Sequence, residues 1–192
     1  MTALPEPFGQ LLTVAEYAAL GEDDRYRWEL QEGSLVMSPS PTPRHMIASG
    51  ELRDQIKPQL PPHLRVIQDV DIDLQLAPAD QPGVSRRPNL IIVDRTAVDR
   101  VDAEGGLLRA CEVRLVVEIV SVGSRRMDHV IKRAEYADAD IPHYWIVDLG
   151  PPVTLLACHL AGEFGYQDAG AVTGEFITGE PYGLKISLDQ LT

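Results

Sequence analysis

A glutamate set inside hydrophobic sequence limits this chain more than any other feature. Glu118 interrupts the run Leu115-Val116-Val117-Glu118-Ile119-Val120. A charged carboxylate in such a run is costly unless it is paired or metal-bound. Two similar runs flank it in sequence: Leu90-Ile91-Ile92-Val93, entered through Arg87-Pro88-Asn89, and Tyr144-Trp145-Ile146-Val147-Asp148. Short apolar runs bounded by polar connections read as buried strands. The stretch 125–137 between the second and third runs has strong helical character. Two strands, a helix and a third strand predict an α/β domain, a mixed sheet with helices on its faces.

The rest of the chain adds to this frame. Thr13-Val14-Ala15-Glu16 reads as a capping box opening a helix to about Leu20, stopped by Gly21 and the acidic residues after it. Residues 26–30 and 34–37 read as a hairpin around Gln31-Glu32-Gly33. Ser38-Pro39-Ser40-Pro41-Thr42-Pro43 reads as a loop, since proline is excluded from helix interiors. Residues 45–57 have helical periodicity, with Met46, Ser49, Leu52 and Ile56 on one stripe. Residues 64–76 alternate as one strand, with Asp69, Asp71 and Asp73 on a solvated face. Residues 96–107 read as a polar connection. Residues 153–159 and 164–167 read as a second hairpin, and short strands follow from Phe176. No repeat or long linker divides the 192 residues, which favours one domain over 1–192.

Composition narrows the classes. A net charge of −12 argues against a surface that coats DNA non-specifically. It leaves room for a local basic cleft, because a metal site itself needs carboxylates. The apolar runs fall far short of the roughly 20 residues of a membrane span. Met1 to Gln10 shows no basic patch before an apolar stretch, so no signal peptide is expected. Cys111 and Cys158 are far apart and without metal-ligand spacing. Both read as small apolar residues, and the expected compartment is a reducing cytoplasm. The basic residues include only three lysines, Lys57, Lys132 and Lys185, which draws attention to each.

Phosphodiester hydrolysis with Mg²⁺ needs acidic oxygens converging on the ion and a cation to balance developing charge. Asn89 opens one strand after Pro88, Glu118 lies near the end of the next, and Lys132 sits on the following helix. Asp128, Lys132 and Tyr136 are spaced i, i+4 and i+8, so they share a helix face. The bland alternative is a surface Asp–Lys pair of small energy. Arg125, Arg126, Lys132 and Arg133 form a local basic face suited to phosphate contacts. Neither Ser121-x-Gly123-Ser124 nor Gly105-Gly106 completes a nucleophile elbow or a phosphate loop. An aromatic content of 6% offers no stacking platform for single strands.

Together these residues resemble a known family. Trp28-Glu29-Leu30-x-x-Gly33, His45, Pro88-Asn89, Val117-Glu118-Ile119-Val120-Ser121, Asp128-x-x-x-Lys132-x-x-x-Tyr136 and Tyr144-Trp145-Ile146-Val147-Asp148 look like the putative restriction endonuclease family of the PD-(D/E)XK nuclease superfamily. The resemblance runs from about Thr13 to Leu191. It implies a restriction-endonuclease-like mixed sheet flanked by helices, with additional β-hairpins. It implies a metal-dependent DNA endonuclease using Mg²⁺ or Mn²⁺. Glu118 matches the strand carboxylate. Lys132 matches a lysine that has migrated to the helix, position 120 being Val. Glu29 and His45 match positions the family commonly keeps, and the resemblance places both near the cleft. Asn89 stands where the pattern has Asp, so it would be a neutral metal ligand, weakening the site. The runner-up is a degenerate fold acting as a nucleic-acid-binding or dimerisation module. The expected partners are DNA and a second copy in a symmetric homodimer, with the 153–166 hairpin as a plausible contact, and no membrane.

Overall fold

The computed structural model describes residues 11–21, 27–38, 40–121 and 123–192. The expectations for Met1 to Gln10, for the acidic residues after Gly21, for Tyr26 and for Pro39 lie outside them. Helix α1 (Val14–Ala19) opens on the reciprocal Thr13–Glu16 capping box read from the sequence. A hairpin follows, β1 (Arg27–Gln31) with β2 (Ser34–Ser38). Then come α2 (Pro43–Ile56), β3 (Leu64–Gln68), β4 (Ile72–Asp73), β5 (Ser85–Arg86), β6 (Leu90–Asp94) and α3 (Arg95–Glu104). The second half holds β7 (Leu108–Arg109), β8 (Val113–Val120), α4 (Lys132–Asp138), β9 (His143–Asp148), β10 (Thr154–Leu160) and β11 (Tyr166–Asp168). Three short strands close the chain: β12 (Val172–Thr173), β13 (Glu175–Ile177) and β14 (Lys185–Ser187).

The three buried runs are the centre of a seven-stranded sheet ordered β11-β10-β9-β8-β6-β3, with β12 also on β10. β6 and β8 are antiparallel, whereas β8 and β9 are parallel, which makes the sheet mixed. Parallel neighbours need a crossover, and α4 lies in that connection. Five further strands form a second sheet, β2-β1-β5-β4-β7, that carries Glu29 and Arg86.

Strand alternation divides the core. Leu90, Ile92, Leu115, Val117, Trp145 and Val147 face α2 and the C-terminal residues Leu188 and Leu191. Ile91, Val93, Val116, Tyr144 and Ile146 face the opposite way and pack with Tyr136 of α4, Ala97 of α3 and Ile72 of β4. Glu118, two residues after Val116, belongs to this second face. Among the described residues no helix is long and apolar enough to cross a membrane.

Several expectations need correction. Residues 64–76 are not one strand. Asp69 takes φ +53°, the chain bends, and β4 joins the second sheet while β3 stays in the first. Two of the three aspartates are also not solvated, since Asp69 pairs with Arg27 and Asp71 holds Arg87 through two bonds, while Asp73 accepts the Gln75 N–H. The stretch after β6 is a helix, α3, whose Ala97, Val98 and Val101 supply an apolar stripe hidden among charged neighbours. On α2 the buried stripe is His45, Ala48, Ser49, Leu52 and Ile56, and Met46 is exposed. Cys158 is buried as expected, but Cys111 is exposed.

This packing predicts a sharp contrast on α2. Leu52→Ala empties a fully buried site and should cost about 2–5 kcal/mol. Met46→Ala should cost less than about 1 kcal/mol. Urea unfolding of both variants checks it, and equal losses would mean that α2 is docked in a different rotation.

Candidate active site

The helical run that returns from β8 toward β9 does not start as an ordinary α-helix. Residues Met127–Ile131 form one π turn, and the Lys132 N–H reaches the carbonyl of Met127, five residues back. Such turns shift the helix by one residue and are common at functional sites. Here the turn is pinned by its surroundings. The Tyr144 hydroxyl donates to the Asp128 carbonyl at 2.9 Å, and the Ser124 hydroxyl donates to Asp128 Oδ2 at 2.6 Å. Asp128, Lys132 and Tyr136 are all buried, as their spacing required of a shared inward face.

Lys132 is the centre of the cluster. Its ammonium donates to Glu118 Oε1 at 2.9 Å and to Glu29 Oε1 at 3.0 Å. Glu118 lies near the end of β8 and Glu29 on β1, so one side chain joins both sheets to α4. The Tyr136 hydroxyl donates to the same Glu118 oxygen at 2.9 Å. Glu29 receives two further donors, the Arg87 N–H on Oε1 and the Arg86 guanidinium on Oε2, each at 3.1 Å. Arg86 is fully buried and also grips both oxygens of Glu135, at 2.7 and 2.6 Å.

These contacts give the two carboxylates opposite titration. Burial alone would raise Glu29, but Lys132, Arg86 and the Arg87 N–H together hold it below the ordinary glutamate range. Glu118 shares Lys132 and has no arginine of its own. Burial dominates there, the charges of Asp128 and Glu29 add to it, and the carboxyl is pushed up to about 7. Burial likewise raises Asp128. Burial of Lys132 opposes its charge, yet Glu118 and Glu29 outweigh it and the ammonium is held more firmly protonated than usual.

Asn89 sits beside this cluster. The β6–β8 ladder pairs Leu90 with Val117, so the next step sets Asn89 opposite Glu118. Its Oδ1 accepts the Ile119 N–H at 2.7 Å, and its Nδ2 lies 2.9 Å from His45 Nε2. An N–H can only donate, which fixes the orientation of the amide. His45 Nε2 must then be the acceptor, so the ring carries its proton on Nδ1. Burial lowers the basicity of His45, consistent with a neutral ring. Its Nδ1 is buried without a partner among the described residues.

The basic face expected on the helix is only partly present. Lys132 points inward, Arg125 pairs with Asp148, and Arg133 pairs with Asp168 and the Tyr166 carbonyl. Arg126 makes no ion pair among the described residues. The sequence reading missed Arg86, whose signal was its position three residues before Asn89 in Arg86-Arg87-Pro88-Asn89.

Residues 14–189 match the family described as Uma2, putative restriction endonuclease. The chain belongs to this family. Its fold is similar to a solved structure from Anabaena variabilis, described as a putative nuclease belonging to DUF820. The TM-score is 0.70 at 15% identity, over 94% of this chain and 97% of the other. No curated protein matches the chain. The restriction-endonuclease-like family generally uses divalent metals. Among the described residues, no three His, Cys, Asp or Glu side chains are arranged to hold an ion. The donor chemistry nevertheless fits a hard dication. Among the described residues, the four carboxylates of Glu29, Glu118, Asp128 and Glu135 share two lysine or arginine side chains, Lys132 and Arg86. Asn89 Oδ1 keeps a second lone pair, and Mg²⁺ commonly takes one or two carboxylates with waters and substrate phosphates.

The charge excess has a measurable sign. Glu118 titrates near 7 when folded and near about 4.3 when unfolded. Between those values the folded protein holds a proton that the unfolded chain releases, so stability falls as pH rises through the window. Without added metal, Tm should therefore drop from about pH 5 to about pH 8, and Glu118→Gln should flatten that slope. An unchanged slope would mean that Glu118 is ionised throughout.

Proposed function

We propose that the protein is a metal-dependent DNA endonuclease weakened by Asn89. The observation that carries this reading is the Lys132 ammonium held between two buried carboxylates beside the Asn89–Glu118 strand ends. Packing alone gives no reason to bury these charges, because a well-packed apolar cluster is often as stable.

Glu118 and Asn89 Oδ1 would hold Mg²⁺ or Mn²⁺, which when bound supplies charge stabilisation at the phosphate and a more acidic water. Asn89 contributes an oxygen but no charge, so affinity falls on Glu118. Lys132 balances negative charge developing on the phosphoryl oxygens. Glu29, kept ionised by Arg86 and Arg87, holds the ammonium in place, and Tyr136 orients Glu118. DNA is the proposed substrate, cleaved in a cytoplasmic setting. A two-fold dimer would bring one cleft to each strand. Light scattering at micromolar concentration should then give twice the chain mass of 21.1 kDa, and a monomer would sink the pairing.

One observation favours the non-catalytic reading, a nucleic-acid-binding or dimerisation module. The Asn89 amide is already engaged on both sides, by Ile119 and His45. Plasmid nicking with Mg²⁺ or Mn²⁺ separates the readings. The endonuclease reading expects slow, metal-dependent nicking, abolished in Glu118→Ala. Asn89→Asp should raise it and add a metal-dependent gain in Tm, through binding to the folded state. The introduced carboxylate would also face His45 Nε2 and draw a proton onto it, so without metal the variant should be no more stable. If Asn89→Asp gains nothing from metal in either assay, position 89 is not a ligand position.

A further inference from the structure

We propose that Arg86 is the positioning residue for Lys132. The proposal deepens the endonuclease reading, since it assigns the device that keeps the ammonium in place. It rests on three observations about one guanidinium.

First, Arg86 is fully buried, although its charge would be solvated at no cost on the surface. Second, its fork is divided between two elements. Nε and Nη2 grip both oxygens of Glu135, while Nη1 reaches Glu29 Oε2. Third, both of those carboxylates are coupled to Lys132. Glu135 lies three residues after Lys132 on α4, so anchoring it fixes the depth and rotation of that helix. Glu29 takes Arg86 on one oxygen and Lys132 on the other. The guanidinium thus sets both the base from which Lys132 extends and one of the two oxygens on which it lands. Tyr136, adjacent to Glu135, is carried to Glu118 by the same anchor.

A lysine at position 86 could not replace this. One ammonium is a point charge and cannot make a two-oxygen contact with Glu135 while holding Glu29 in a fixed direction. Nor does simple burial explain it, because a structural ion pair needs one partner, and Arg86 has two on separate elements.

The test reads the lysine directly. With ¹⁵N-labelled lysine the protein yields three ammonium groups, of which Lys57 and Lys185 are exposed and Lys132 is buried. Proton exchange from Lys132 should be slow enough to resolve it by NMR. Arg86→Lys should shorten that exchange lifetime by at least about tenfold while amide protection in β8 holds. Glu135→Gln, whose side chain is partly exposed and which keeps its hydrogen-bonding shape, guards against a variant that fails to fold. It should shorten the lifetime by about threefold or more. A lifetime within about twofold of the unaltered protein, in either folded variant, overturns the proposal and leaves Arg86 a packing residue. Nicking by the same variants should lose turnover with KM nearly unchanged, as expected when a transition-state contact is lost. Absence of nicking in the unaltered protein would sink the endonuclease reading alone. The lifetimes would still decide Arg86.

Discussion

Everything at the centre of this molecule depends on one buried ammonium. Lys132 is donated by a helix on one side of the main sheet and received by Glu118 of that sheet and Glu29 of the second sheet. Removing Lys132 would leave Glu118 and Glu29 without their shared cation in a low-dielectric interior, which is far costlier than losing a surface pair. The two sheets and α4 are therefore tied by electrostatics as well as by the apolar packing that includes Ile72, Val116 and Tyr136. The apolar layer of Val116, Tyr144 and Ile146 runs up to Glu118, which pairs with Ile146 across the β8–β9 ladder.

The cluster is asymmetric, and the asymmetry is informative. Glu29 has three donors and sits low; Glu118 has two and sits near neutrality. One ammonium cannot fully compensate two carboxylates, and Arg86 settles the division in favour of Glu29. Glu118 is left as the weaker acid of the two, and it is also the one opposite Asn89. An environment that pushes paired carboxylates apart is a common mark of chemical sites.

Asn89 shows how a single atom type redirects a site. An aspartate at this place could not meet His45 Nε2 without a proton between them. The amide meets it directly, donating to the ring while accepting from Ile119. The result is a neutral clasp joining α2, β6 and β8. It stabilises the strand ends without adding the negative charge that would draw a dication. Family membership sets the fold and the company this chain keeps, but the chemistry of this cleft rests on such local choices.

Local patterns in the chain were enough to specify the central strands, the capping box, the crossover helix and the partnership of Glu118 with Lys132. The first three are short-range patterns; the last joins residues 14 apart and rests on the shared face of Asp128, Lys132 and Tyr136 together with the family resemblance. The same reading marked Asn89 as a departure. The rest emerged only from the assembled fold. The break at Asp69 arises because β3 and β4 serve different sheets, which alternation along one stretch cannot reveal. The π turn before Lys132 is held by the nearby Ser124 and by Tyr144, whose contact forms only when β9 lies beside β8. Arg125 and Arg133 form ion pairs because Asp148 and Asp168 stand across from them in the fold. Arg86 was invisible for the same reason. Its partners lie 57 and 49 residues away, and a charge reveals its role only once burial has removed the water that would otherwise satisfy it.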